Sequence, residues 1–170
     1  MKSFILTGPE STGKTWLSGL LAGKFETSWR PEYLREFYDR YDGVSEQEIP
    51  TIAKTQIEQE NELLAMDLPL VFFDTNIITL KIYHEHYFES QASWFDELYD
   101  QSLYSHYLLL DTSVPWEADP QRDSPEVREQ LFHKFKTELE KLEVDFTVIT
   151  GEYKQRIDQA TNVINDFVGA

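Results

Sequence analysis

Apolar residues fall along this chain in two rhythms: short unbroken runs that end on a glycine or a carboxylate, and longer stretches with apolar positions at helical spacing. Residues 2–7 run apolar into a glycine turn, the pattern of a strand buried on both faces that feeds a helix over 15–24. Leu70-Val71-Phe72-Phe73-Asp74 and Tyr107-Leu108-Leu109-Leu110-Asp111 are apolar runs closed by a carboxylate, and Phe146-Thr147-Val148-Ile149 is a weaker copy followed by Thr150-Gly151. Residues 27–30 form a short strand candidate stopped by Pro31, whose ring disfavours helical geometry in the residue before it. Helices are predicted over 33–41, 51–66, 76–88, 94–106, 125–142 and 153–168, with Pro50 in a first turn and Pro69 beyond an end. Strands alternating with helices predict an α/β fold in three layers, about five parallel strands with right-handed crossovers and helices on both faces. In such sheets ligands bind at the carboxyl ends of the strands, where Gly8, Asp74, Asp111 and Gly151 should gather.

Composition narrows the chemistry. With 170 residues and no cysteine, the chain is expected to be one domain, residues 1–170, whose core needs no disulfide and which has no thiolate for a metal or a nucleophile. No apolar stretch approaches a membrane span or a signal peptide, so a cytoplasmic protein without membrane association is expected. The net charge of −16 argues against nucleic acid as a partner. Residues 1–24 are the exception, with Lys2, Lys14 and Lys24 against Glu10 alone. Between Lys81 and Arg122 there is no cation, whereas eight carboxylates and nine aromatic residues fall in that interval, a composition that favours a cationic ligand or simply a solvated surface.

The first strand and helix flank Gly8-Pro9-Glu10-Ser11-Thr12-Gly13-Lys14-Thr15, which matches G-x-x-x-x-G-K-S/T in the strand–turn–helix context the motif requires. Backbone amides at a helix N-terminus favour phosphate, so these eight residues are expected to bind ATP, with Lys14 on the β- and γ-phosphates and Thr15 on magnesium. Asp74, closing the most hydrophobic strand, is either the Walker B carboxylate that holds magnesium or the cap of the helix that begins near Asn76. Residues 112–125 form a long loop with prolines at 115, 120 and 125, suited to a lid. Arg122 on that loop either stabilises charge on the transferred phosphoryl or pairs with Asp119 or Asp123. Glu32 follows the second strand candidate, where a carboxylate either accepts a proton from an attacking hydroxyl or is merely solvated. His84 and His86, two apart on a helix, point to nearly opposite sides and make no metal site. Trp94, Phe95, Tyr99 and Tyr104 are spaced as core residues of one helix.

Together, the glycine loop, Glu32-Tyr33 with Arg35-Glu36, Phe73-Asp74-Thr75 and Pro115-Trp116-Glu-Ala-Asp119-Pro-Gln-Arg122 resemble the ribosylnicotinamide kinase domain of NadR-type proteins, a P-loop kinase family, over nearly the whole chain. The resemblance implies a P-loop NTPase three-layer sandwich and transfer of the ATP γ-phosphoryl to the 5′-hydroxyl of nicotinamide riboside, with magnesium as cofactor. It implies Lys14, Glu32, Asp74 and Arg122 as catalytic residues, and Thr15 and Asp74 as metal ligands. It places Glu32, Tyr33, Arg35, Asn76 and Trp116 toward the acceptor. Where the family is expected to carry a second acidic residue after the Walker B position, this chain has Thr75-Asn76, and Pro31 replaces the aromatic residue common before the Glu-Tyr pair. The adenylyltransferase domain usually fused ahead is not in this sequence, which begins almost at the first strand, so a stand-alone kinase is expected. A kinase of another nucleoside and an ATP-binding regulatory ATPase are the alternatives.

Overall fold

Unbroken apolar runs become the middle layer of the molecule. In a computed structural model that describes residues 1–115 and 125–169, β1 (Lys2–Thr7), β2 (Ser28–Arg30), β3 (Leu70–Asp74), β4 (His106–Leu110) and β5 (Phe146–Ile149) pair in parallel in the order β2-β3-β1-β4-β5. Side chains alternate across each strand, so one run of sequence feeds two cores. Phe4, Leu6, Phe72, Leu108 and Leu110 meet Leu17 and Leu21 of α1 (Lys14–Lys24) and Ala160 and Ile164 of α7 (Tyr153–Val168). On the other face Ile5, Val71, Phe73, Tyr107 and Leu109 meet α3 (Ile49–Leu64), α4 (Ile77–Tyr87) and α6 (Pro125–Lys141). Residues 77–84 of α4 are all buried, and the polar ones among them are partnered, Lys81 by Glu85 and Glu138 and His84 by Ser90 and Trp94. The amphipathic α2 (Tyr33–Tyr41), by contrast, has no buried residue and follows an edge strand of three residues.

β1 lies at the centre of the sheet: the chain first runs from it to the edge at β2, comes back to fill β3 between them, and then crosses to add β4 and β5 on the other side. The carboxyl end of β1 is therefore the topological switch point. Registers Leu6↔Asp74 and Thr7↔Leu109 bring the ends of the three central strands to one edge.

The stretch 94–106 is not the single helix its spacing predicts. It forms a four-residue helix, α5 (Phe95–Leu98), then a 3-10 turn Gln101–Leu103, and β4 already begins at His106. Two local effects stop the helix. Asp100 Oδ1 accepts from the amide of Ser102 at 3.0 Å and from its hydroxyl at 2.7 Å, an alternative to helical bonding, and Tyr99 is extended at ψ 120. The aromatic residues still enter the core, with Phe95, Tyr99 and Tyr104 stacked in series at centroid distances of 4.8 and 6.0 Å. Among the described residues no helix is long and apolar enough to cross a membrane, and no group of three His, Asp or Glu side chains forms a metal site. Most of the segment 112–125, with Trp116, Asp119, Arg122 and Asp123, lies outside the described residues.

Glu60 of α3 is buried in the second core, where Gln56 Nε2 donates to it at 3.0 Å and the Tyr104 hydroxyl also donates to it. Burial lifts its carboxyl from 4.5 to about 7, against the pull of those two bonds. The folded state thus keeps a proton that the unfolded chain releases near 4.5, so this stabilisation is whole below that value and is lost as pH rises through about 7. Glu60→Gln, neutral throughout, is expected to melt close to the wild type at about pH 5 and several degrees higher at about pH 8.5. A melting difference that does not change with pH would show that Glu60 does not titrate in this range.

Candidate functional site

The turn after β1 is shaped by what its backbone must avoid. At Gly8 φ is +132, and a Cβ there would lie 2.5 Å from the carbonyl oxygen of Leu110, so only glycine lets the chain cross the end of β4. Ser11 and Gly13 are also left-handed, and Gly13 precedes α1 without any side-chain cap. The first-turn amides of α1 are thereby left for a ligand, with the positive end of the helix behind them. Lys14 Nζ and Thr12 Oγ1 both donate to the carbonyl of Pro9, at 2.7 and 2.8 Å, folding the lysine over the loop. Burial lowers the Lys14 ammonium from its ordinary value, opposed by Glu32, Asp74 and Glu10.

Asp74 ends β3 directly beside Leu6. The Thr15 hydroxyl donates to its Oδ2 at 2.5 Å, while Oδ1 is buried without a partner. Burial raises the Asp74 carboxyl above its ordinary value, with Lys14 and Thr15 pulling the other way. The cap of α4 is Asn76 rather than Asp74: Asn76 Oδ1 accepts from the amide of Ile78 at 3.1 Å, leaving the aspartate to Thr15. Asn76 is also spent on the far side, donating to the Tyr107 hydroxyl at 2.9 Å, and it is fully buried. Between them Thr75 is held at φ +66, uncommon for a β-branched residue, with its amide on Leu6 and its hydroxyl donating to Glu32 Oε1 at 3.3 Å.

Glu32 occupies the N-cap position of α2, yet its side chain makes no cap bond and turns to Thr75. Burial raises its carboxyl from 4.5 to about 7, with Lys14 opposing and Asp74 adding to the rise. A cleft of about 420 Å³ opens here. Glu10, Ser11, Gly13, Lys14, Thr15 and Trp16 line it on one side, and Glu32, Leu34, Arg35, Tyr38, Asp39 and Tyr83 on the other. Of the residues expected from sequence, the loop, Glu32 and Arg35 therefore share one cleft, with Asp74 under Thr15. Tyr33 is not among the lining residues: its ring packs on the core and meets Phe37 edge-on at 6.4 Å. Trp116 and Arg122 lie outside the described residues. Among the described residues of the interval without cations, Tyr83 alone lines the cleft, and Tyr38 and Asp39 of α2 supply further aromatic and acidic lining. Tyr38 and Asp39 lie three and four residues beyond Arg35, so helical spacing alone would have placed them on its face.

Two arginines that the sequence did not single out hold the back of the loop. Arg156 of α7 is 1% exposed. Its Nε donates to the Gly151 carbonyl at 2.7 Å, Nη1 to the Thr12 carbonyl at 3.0 Å, and Nη2 to Asp111 Oδ1 at 2.7 Å, the Asp111 carbonyl at 3.0 Å and Ser113 Oγ at 3.1 Å. Arg128 of α6 bonds the carbonyls of Ser11, Thr112 and Val114. Both act across more than a hundred residues of sequence, which no local pattern reveals.

A parallel sheet in this order, with a glycine loop leaving its central strand for a lysine and a hydroxyl beside a strand-end carboxylate, defines a P-loop fold of the kinase type. The chain belongs to the AAA domain family, whose model matches residues 3–156. It resembles the trifunctional NAD biosynthesis/regulator protein NadR of Escherichia coli (strain K12), 23% identical over 177 residues, covering 99% of this chain and 43% of that protein. The NadR of Salmonella typhimurium matches to the same extent, so the chain spans less than half the length of these relatives. Among solved structures, NadR in complex with NR superposes with a TM-score of 0.81 at 19% identity, over 99% of this chain and 52% of that one. Deoxyadenosine kinase from M. mycoides with bound dATP superposes at 0.66 and 14% identity, over 97% of this chain and the whole of that one.

Replacing Arg156 by methionine would leave the carbonyls of Thr12 and Gly151 without their arginine donor and break the ion pair with Asp111, whose Oδ1 would keep the Ser113 amide and hydroxyl. The expected loss of stability is about 3–5 kcal/mol, read as a lowered urea midpoint. Arg40→Ala, which removes an exposed pair with Glu36, is expected to leave the midpoint unchanged; equal effects of the two changes would contradict the anchoring role.

Proposed function

We propose that this protein transfers the γ-phosphoryl group of ATP to the 5′-hydroxyl of nicotinamide riboside, giving nicotinamide mononucleotide. The observation that carries this reading is the position of Glu32, a half-buried carboxylate held by Thr75 in one cleft with Lys14 and Thr15, where its surroundings raise its pKa to about 7. A base poised there takes the proton of an attacking hydroxyl at neutral pH, while Lys14 and the loop amides bind the phosphates that receive it. Arg35, on the same cleft wall, adds positive charge toward the transferred group. Thr15 and Asp74 supply only oxygen donors, a set suited to magnesium, and the unpartnered Asp74 Oδ1 is an acceptor that a hydrated ion requires. Magnesium, when bound, would neutralise phosphate charge beside Lys14.

Acceptor identity is supported by the α2 wall. Tyr38 and Tyr83 present aromatic surface and Asp39 a carboxylate, a combination that attracts a flat cationic ring such as pyridinium. The fold match to a NadR protein in complex with NR supports the same acceptor. The match to a deoxyadenosine kinase favours a second reading, phosphorylation of another nucleoside, in which the charge of Asp39 would be of no use.

Phosphorylation of nicotinamide riboside is expected to exceed that of uncharged nucleosides, and Asp39→Asn should raise the KM for the riboside roughly tenfold with the KM for ATP unchanged. If ATP consumption does not respond to nicotinamide riboside, this acceptor assignment fails. Lys14→Ala should abolish turnover with the fold intact. As Glu32 must be ionised to act, kcat/KM should rise with pH through about 7 and then level off. Glu32→Gln should remove that rise and lower the rate by about 10²–10⁴-fold with ATP binding retained; wild-type turnover in this variant would remove Glu32 as the base.

A further inference from the structure

Arg128 is spent on a task that neither the fold nor the chemistry proposed above explains. It sits on α6, away from the cleft lining, and is 7% exposed. Its Nη2 donates to the carbonyls of Thr112 and Val114 at 3.0 and 2.9 Å, and its Nη1 faces the carbonyl of Ser11 at 3.4 Å. Among the described residues Nε is buried with no partner, and the bonds of the other two nitrogens go to backbone carbonyls. The Thr112 hydroxyl also donates to Glu129, the next residue of α6. One guanidinium thus joins the loop after β1 to the segment after β4.

The carbonyl it touches decides where a loop amide points. In a trans peptide the C=O and the following N–H are antiparallel, so turning the Ser11 carbonyl out toward Arg128 turns the Thr12 amide the opposite way. The same holds one residue on, where Arg156 takes the carbonyl of Thr12 and so orients the amide of Gly13. Ser11 reaches this arrangement at φ +57, a left-handed conformation that costs a non-glycine residue energy and persists only when its surroundings enforce it. Alternation of right- and left-handed residues, with amides gathered on one side, makes an anion-binding nest.

We infer that Arg128 is a positioning residue for polyphosphate: from α6 it holds the Ser11–Thr12 peptide in the orientation the nest requires, and it ties that orientation to the segment 111–115. Arg156 locks the neighbouring peptide from α7, so the nest is clamped from two helices. The inference rests on the reading that the glycine loop binds phosphates, and the experiment separates the two.

Binding of tripolyphosphate, which carries no nucleoside and engages the glycine loop and Lys14, and of nicotinamide riboside is measured by calorimetry on the full chain. Arg128→Ala is expected to bind tripolyphosphate roughly tenfold more weakly, the scale of one hydrogen bond to a charged group, with riboside affinity unchanged. Millimolar methylguanidinium should restore the loss, and methylammonium should not. Arg128→Lys keeps the charge but cannot span three carbonyls, so it should fold normally and show the same defect without rescue. Wild-type tripolyphosphate affinity in both variants overturns the inference, as does a loss that methylguanidinium leaves in place and that riboside binding shares. Failure of the wild type to bind tripolyphosphate would instead overturn the phosphate reading of the loop, and the inference with it.

Discussion

One buried cation organises this end of the molecule. Arg156 comes from the last helix and places its guanidinium among the loops that follow β1, β4 and β5, bonding Thr12, Asp111, Ser113 and Gly151. A charge this deeply buried is tolerable only when paired and hydrogen-bonded, and here every guanidinium nitrogen has an acceptor. The reverse also holds: three loops cannot drift apart without stranding the charge. Parallel strands alone would align the loops only at their roots. The arginine extends that alignment out to where the glycine loop enters α1, and in a chain of net charge −16 it does so with one of 15 cations.

On the other side of the cleft, order is achieved by dividing labour among consecutive residues. Asp74, Thr75 and Asn76 follow one another, yet one bonds Thr15, the next bonds Glu32 and the third caps α4. The left-handed backbone of Thr75 makes this possible, because it breaks the alternation that would have sent Asp74 and Asn76 to the same face. Strain at Thr75 is thus tied to the ability of β3 to serve the two walls of the cleft together. The register of β3 against β1 keeps Asp74 beside Leu6, one turn of chain away from the loop it serves.

The sheet, its apolar runs and the glycine loop were legible in the sequence because each rests on short-range pattern: alternation, a carboxylate at a strand end, glycines where φ must be positive. The loop and Asp74 come together as that pattern implies, and Glu32 and Arg35, which the resemblance placed toward the acceptor, share the cleft with the loop. What escaped depends on distance or on competition. Arg128 and Arg156 act on carbonyls 117 and 144 residues away, so nothing near them in sequence marks their role. The helix expected over 94–106 failed because Asp100 offered the backbone a closer acceptor than the next turn could. Tyr33 was placed by resemblance in the acceptor pocket, whereas the amphipathic face of α2 turns its ring to the core and gives the cleft Leu34, Tyr38 and Asp39 instead.

α2 has no buried residue and hangs from a three-residue edge strand, whereas the glycine loop is clamped between buried helices. The two halves of the cleft therefore differ in how freely their sequences can vary. Substitutions on the glycine-loop half disturb a core and several buried charges together, so that half is constrained by folding. Those on the outer face of α2 disturb only the wall they belong to. A scaffold divided in this way can change the lining of one cleft wall by rewriting a single exposed helix, with the glycine loop and its arginine clamps left intact.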